Sequence, residues 1–286
     1  MRRIAVFGWA TACLFTTACG EPSKEKKVLV IGIDGVRPDV LAKANTPNID
    51  ALVADGTFAG RVESKVQTWS VPAWSSIATG VWPAKHLVTS NDFTGHDYAA
   101  YPDFLTRIEL VNPELSTFVV LDWPPLGTGD SGGPLFSDMI DAKLTFDGGD
   151  GGYETADAAF IYIGNPDVVA HDTGVSAEYR AAIEAADGHV GVLVDALRSR
   201  PAYEEEDWLT LITTDHGHRD EGGHGGDSLE ERTVFYLASG PSVLKGMPDI
   251  PPDLVDVAVT AMAHPGVEID PTWRLDGRVI GLAGRD

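Results

Sequence analysis

Asp34 in "GIDG", Ser70 in "TWSVPAWSS", Asp167 and His171 in "NPDVVAHDTG", Asp215-His216 in "TTDHGH" and His224 in "EGGHGG" carry side chains that can hold a metal or attack an ester. Carboxylates and imidazoles are what zinc and similar divalent ions accept where thiolates are missing. Both cysteines, Cys13 and Cys19, lie in the N-terminal segment, so the body of the chain has none. Ser70 adds a hydroxyl, a poor nucleophile near neutral pH whose pKa falls by many units beside a bound cation. Singly these residues have ordinary explanations: strand-end aspartates cap loops, lone histidines pack, and glycine pairs make turns. Together they suit a site for zinc or a similar divalent ion.

The elements around them must bring them to one place. "KKVLVIGIDG" (26–35), "STFVVLDW" (116–123), "AAFIYIGNPD" (158–167), "DWLTLITTDHGH" (207–218) and "RTVFYLASGP" (232–241) read as buried strands running into polar loops. "NTPNIDALVADG" (45–56) is a predicted helix with Thr46 as cap, Pro47 at its first position and Gly56 as stop. "SAEYRAAIEAADGHVGVLVDALRSR" (176–200) is a long amphipathic helix, and "PPDLVDVAVTAMAH" (251–264) has helical spacing. Strands alternating with helices predict a three-layer α/β sandwich around a mostly parallel sheet, with 92–157 as a small loop-rich cap. Ligands sit beyond the C-terminal ends of such strands, where Asp34, Asp167 and Asp215 all fall. "VPAWSSIATG" (71–80) predicts a helix whose start would offer amide groups to an anion.

Asp34, Ser70-Val71-Pro72, Thr79-Gly80, Pro83, Asn91, Asp167-Xaa3-His171 and Asp215-His216-Gly217 occur in an order that resembles the alkaline phosphatase superfamily. Within it the chain is similar to the nucleotide pyrophosphatase/phosphodiesterase group and its small bacterial relatives. The resemblance implies two divalent ions, usually zinc. It implies Asp34, Ser70, Asp215 and His216 at one ion, and Asp167, His171 and His224 at the other. It also implies that Asn91 donates a hydrogen bond to a phosphate oxygen. His218 and His264 are rivals for the place of His224. Two dications against three aspartates leave one positive charge, enough to draw in a phosphate ester. Ser70 would then attack phosphorus in line and form a phosphoserine that water releases, with no separate general base. The substrate class expected is a small phosphodiester; a phosphomonoester or sulfate ester is the alternative. A monoester dianion wants a guanidinium clamp, and Arg37 and Lys85 are the candidates. Trp69, Trp74 and Trp82 are candidates to line a leaving-group pocket. Trp74 also stands where a sulfatase motif needs arginine, which disfavours sulfate esters. A binding protein that merely captures metal or phosphate would not need Ser70.

The formal net charge of −22 over 286 residues repels polyanions and argues against nucleic-acid binding. Arg2 and Arg3, the apolar Ile4 to Phe15, and Thr16-Thr17-Ala18-Cys19 read as a secretory signal over 1–18 with a lipoprotein-type box. Membrane attachment through a lipidated Cys19, a tether over 19–27 and a catalytic domain over 28–286 follow from that reading. The expected location is periplasmic, or membrane-anchored as a bacterial lipoprotein. Gly129-Asp130-Ser131-Gly132-Gly133-Pro134 spells the nucleophile loop of chymotrypsin-like proteases. Neither His86 nor His96 upstream has the neighbours such an enzyme needs, and the helices contradict its all-β fold. The hexapeptide reads as a surface turn.

Overall fold

An apolar run such as Val28–Ile33 can only be satisfied by burial on both of its faces. The computed structural model, which describes residues 24–145 and 156–284, buries it at the centre of a mixed seven-stranded sheet. The strands are β1 (Glu25–Ile33), β2 (Gly56–Glu63), β3 (Thr117–Leu121), β4 (Ala142–Thr145), β5 (Ala158–Ile163), β6 (Glu206–Thr213) and β7 (Thr233–Ser239), ordered β2-β7-β6-β1-β5-β3-β4. β1 pairs in parallel with β5 and β6, and β3 in parallel with β4 and β5. β7 runs antiparallel to both β6 and β2.

Helices cover both faces. They are α1 (Pro38–Leu41), α2 (Pro47–Asp55), α3 (Ser70–Thr79), α4 (Pro83–His86), α5 (Phe104–Val111), α6 (Asn165–Thr173), α7 (Ala177–Arg198), α8 (Leu229–Arg232) and α9 (Asp256–Ala263). Val28 and Val30 of β1 point into one core with Trp74 and Ile77 of α3, Phe104 of α5 and Met262 of α9. Leu29, Ile31 and Ile33 point into the other, with Leu52 of α2 and Tyr179, Ile183, Val190 and Leu197 of α7. This two-residue alternation against two apolar layers fixes the register of β1, because a slip of one residue would exchange the faces.

α7 follows its predicted span. The Ser176 side chain caps it by accepting from the Tyr179 N–H, and its buried positions recur every three or four residues. α2 starts at Pro47 as predicted, but Thr46 makes no side-chain cap. Asp187 of α7 takes that role, accepting from the N–H groups of Asn48 at 3.3 Å and Ile49 at 2.7 Å. Gly56 is extended and opens β2, where a Cβ would lie 2.1 Å from the Ala238 carbonyl oxygen. Close approach of β7 is what requires glycine there.

The residues expected to form a cap do not all stand apart. β3 and β4 extend the sheet, and α5 packs on one face of it. The end of the expected tether is also structural. Lys27 in β1 is buried and ion-paired with Asp157. The signal segment, Cys19 and most of the tether lie outside the described residues. Among the described residues no helix is long and apolar enough to cross a membrane. Ser131 lies exposed in a short 3-10 turn (Asp130–Gly132), which is the surface turn expected of the hexapeptide.

Candidate metal centre and active site

β6, β1 and β5 are neighbours in the middle of the sheet, so the loops leaving their C-terminal ends converge. Asp34 follows β1 directly, and Asp215 and His216 follow β6. Asp167 was expected in the loop after β5, but it sits in the first turn of α6, with His171 one turn later. That i, i+4 spacing puts both on one face, with His171 Nε2 3.5 Å from Asp167 Oδ2. Ser70 is the first residue of α3 and Trp69 the N-cap, so the hydroxyl is free of a capping bond. Ser70 Oγ instead lies 3.1 Å from His216 Nε2.

Two ligand-like groups emerge. In the first, His216 Nε2 lies 3.5 Å from Asp34 Oδ1 and 3.2 Å from Asp215 Oδ2. In the second, His224 Nε2 lies 3.0 Å from His171 Nε2 and 3.6 Å from Asp167 Oδ1. A third combination joins Asp167 and His216 with His218, whose Nε2 is 2.9 Å from Asp167 Oδ1. All eight residues singled out in the sequence meet at this rim, since Asn91 lines the same cavity. His218, a rival for the place of His224, lies beside it instead of replacing it. His264 is remote from the rim: its Nε2 meets the Asp207 carbonyl oxygen at 2.8 Å.

The tautomers follow from the partners. A carbonyl oxygen only accepts, so His224 Nδ1 carries the proton that it donates to Thr68 at 2.6 Å. His216 Nδ1 likewise donates to the Gly217 carbonyl at 3.1 Å. Both Nε2 lone pairs therefore face the cluster, the arrangement that metal-binding histidines adopt. Asp34 Oδ1 and Asp215 Oδ2 are buried without hydrogen-bond partners. Unpartnered buried carboxylate oxygens are costly unless a cation meets them. The donor set fits divalent metal on these grounds.

The electrostatics agree. Burial pushes the Asp34 carboxyl up to about 8, and the Asp167 charge pushes in the same direction. Asp215 is raised by burial and by Asp34. Burial also works upward on Asp167, but hydrogen bonding to His218 and the nearby histidines outweigh it and leave that carboxyl at about 2. His216 is held well below its usual value, first by burial and then by His224. Two neighbouring carboxylates that resist ionising together are a natural seat for a dication.

Glycines make room for this packing. Gly35, with φ +67°, has no space for a side chain: a Cβ would lie 2.6 Å from His218 Nε2 and 2.9 Å from Asp167 Cα. Its N–H also donates to Asp215 Oδ1 at 3.2 Å.

The cavity beside the cluster measures about 390 Å³ and is lined by Ser70, Asn91, Asp122, Trp123, Tyr162 and His224, among others. Asn91 Oδ1 accepts from the Val71 N–H at 3.0 Å, which leaves its NH2 group without a partner among the described residues. The indole at this cavity is therefore that of Trp123, and none of the three tryptophans named from the sequence lines it. Trp74 is fully buried beneath Ser70, and Trp82 packs under the Lys65 ammonium. The basic candidates are also engaged elsewhere. Arg37 is ion-paired with Asp39 and Asp220, and Lys85 with Asp276. Among the described residues no arginine or lysine lines the cavity.

The family model of type I phosphodiesterase/nucleotide pyrophosphatase matches residues 28–113, the part that holds Asp34, Ser70 and Asn91. Murine ectonucleotide pyrophosphatase/phosphodiesterase 5, as an inactive variant in complex with AMP, superposes with a TM-score of 0.69 at 16% identity, covering 86% of this chain and 96% of that one. The same murine protein in a second structure gives 0.68 at 15% identity, and its human counterpart 0.65 at 14%, each with the same coverage. At such identities the likeness establishes the fold. The match over residues 28–113 and the shared fold make the chain similar to type I phosphodiesterases/nucleotide pyrophosphatases.

Proposed function

We infer that the protein hydrolyses small phosphodiesters through a phosphoserine formed on Ser70. The observation that carries this is Ser70 Oγ, 3.1 Å from His216 Nε2 and free of a capping role, at the edge of a cluster of unpartnered carboxylates. Asp34, Asp215 and His216 with Ser70 would hold one ion; Asp167, His171 and His224 would hold the other. Bound there, divalent ions, zinc by the family's habit, would supply positive charge that acidifies hydroxyl and water and offsets the phosphate charge.

The chain's own residues do the rest. His216, with its proton fixed on Nδ1, turns its Nε2 lone pair toward the Ser70 side, where it and the hydroxyl could meet the same ion. The free NH2 group of Asn91 is available to a non-bridging phosphate oxygen, while its carbonyl is anchored on the Val71 N–H. Ser70 Oγ bonds to phosphorus and loses its proton; the ester oxygen leaves with the bonding pair and takes up a proton. Water oxygen then bonds to phosphorus, Ser70 Oγ departs and regains its proton, and a monoester and an alcohol result. A diester suits a cavity without a guanidinium or ammonium, because it brings one charge where a monoester dianion brings two. The Asp122 carboxylate on the same wall adds to the bias.

The N-terminal segment supports export, with Cys19 as a lipid attachment point. Radiolabelled palmitate on the wild type but not on Cys19→Ala would establish it; label on neither leaves plain secretion.

The activity is tested by nitrophenol release from bis-p-nitrophenyl phosphate, p-nitrophenyl phosphate and p-nitrophenyl sulfate, with and without chelator. Diester turnover abolished by chelator and by Ser70→Ala, with metal content retained in the variant, is expected. Metal-loaded protein that turns over none of the three, or unchanged activity in Ser70→Ala, overturns the proposal.

A further inference from the structure

The metal ligands are not held in place by themselves. Asp34 has one oxygen, Oδ1, buried and unpartnered beside His216, and a second, Oδ2, doubly bonded on the opposite side. Trp74 Nε1 donates to Oδ2 at 2.9 Å, and the Tyr162 hydroxyl donates to the same atom. Both donors are locked by packing. Trp74 is 1% exposed and Tyr162 5%, and their rings meet edge to face with centroids 5.3 Å apart. Trp74 also meets Phe160 at 5.9 Å in the same manner. Gly32 of β1 is what admits the indole, since a Cβ there would stand 2.4 Å from its ring. Trp74 lies one turn after Ser70 on α3, so the helix that presents the hydroxyl also carries the group that aims Asp34.

The geometry points to Trp74 and Tyr162 as positioning residues for the metal centre, an inference that rests on the functional reading above. Two donors on Oδ2 prevent the carboxylate from turning, so it offers one oxygen, Oδ1, to the ion shared with Ser70. The indole occupies the place where a sulfatase motif would put arginine, and here it serves the protein's own carboxylate instead of the substrate. Groups that hydrogen-bond to metal ligands in this way typically change metal affinity by about 10–100-fold when removed.

The test uses Tyr162→Phe, which removes only the hydroxyl, and Trp74→Phe, which keeps a ring in the core. Zinc affinity of the purified full chain is measured by competition with a chromophoric chelator. Melting of metal-free protein is recorded alongside, to separate metal binding from packing. Weakening of one of two zinc equivalents by about tenfold or more in Tyr162→Phe, at unchanged apo melting temperature, is expected. In an Asp34→Asn background the same substitution should have no further effect, because the group acts through Asp34. Trp74→Phe should follow the same pattern, after allowance for any loss of apo stability. Two wild-type-like zinc affinities in Tyr162→Phe, or an equal loss with and without Asp34, would overturn the inference while leaving the site intact. A wild type that binds no zinc would overturn this inference and the functional reading together.

Discussion

Gly35→Ala tests whether the crowding around the site is structural fact. The added methyl would stand 2.6 Å from His218 Nε2, 2.8 Å from Asp167 Cβ and 2.9 Å from Asp167 Cα. The last contact is with backbone at the start of α6 and cannot be relieved by a rotamer change. His218 is fully buried, so its ring has nowhere to retreat. Left-handed backbone costs a non-glycine residue about 1–2 kcal/mol, and overpacking of this kind costs about 1–3 kcal/mol. The expected loss is therefore about 2–5 kcal/mol, within the roughly 5–15 kcal/mol by which domains are stable. The variant should fold, with Asp167 displaced by a few tenths of an ångström. Urea unfolding in chelator gives the stability term, and zinc competition gives the site term, expected to fall at least tenfold. Gly246→Ala is the control. Its φ is +106° but nothing lies within 4 Å of the new methyl, so it should show strain alone and bind zinc normally. Equal behaviour of the two variants in both measurements would refute the reasoning.

Three further outcomes are expected. Chelator-treated protein should lose stability as pH rises from about 4 to about 8. The raised Asp34 carboxyl keeps its proton in the folded state after the unfolded chain has released it, with a slope of up to ~1.4 kcal/mol per pH unit for one group. Asp167, held near 2, acts in the opposite sense and its contribution is lost as pH falls below about 4; zinc-loaded protein should flatten the upper window, as urea titrations across pH would show. Asp187→Ala removes the acceptor for two N–H groups at the start of α2 and should destabilise the fold by about 1–3 kcal/mol with kcat unchanged, measured by denaturation and diester assay. Lys85→Met should leave KM for diester and monoester within about threefold, because Lys85 is paired with Asp276 away from the cavity, and should cost no more than about 1 kcal/mol.

Much of the site was legible because an apolar strand has to end somewhere, and Asp34 and Asp215 mark those ends. The glycine-rich setting of His224 has a structural counterpart, since Gly225 with φ +103° passes against Trp69. What escaped was anything decided by a partner far along the chain. Trp74 reads as a candidate for the leaving-group pocket until Asp34 is seen beside its N–H. Arg37 reads as a free cation until Asp220 arrives from the loop after β6. β2 was hidden because it follows α2 without a turn, and β4 because four residues carry too little pattern. His218 carried a signal in its spacing from His216, but one ring between two candidate groups cannot be assigned from spacing alone.

The order of strands across the sheet has a consequence for biogenesis. β1 is made early, yet its partners β5 and β6 come far later: Lys27 meets Asp157 across 130 positions, and Gly35 meets Asp215 across 180. A growing polypeptide thus carries Asp34 and Ser70 for most of its synthesis with no complementary imidazole within reach. The candidate ligand cluster closes only when the last third of the chain threads into the middle of the sheet, and the slow, long-range step comes first. Ion uptake at the proposed site would in this sense be a seal on finished molecules, and truncated or misassembled ones would lack the stabilisation it confers.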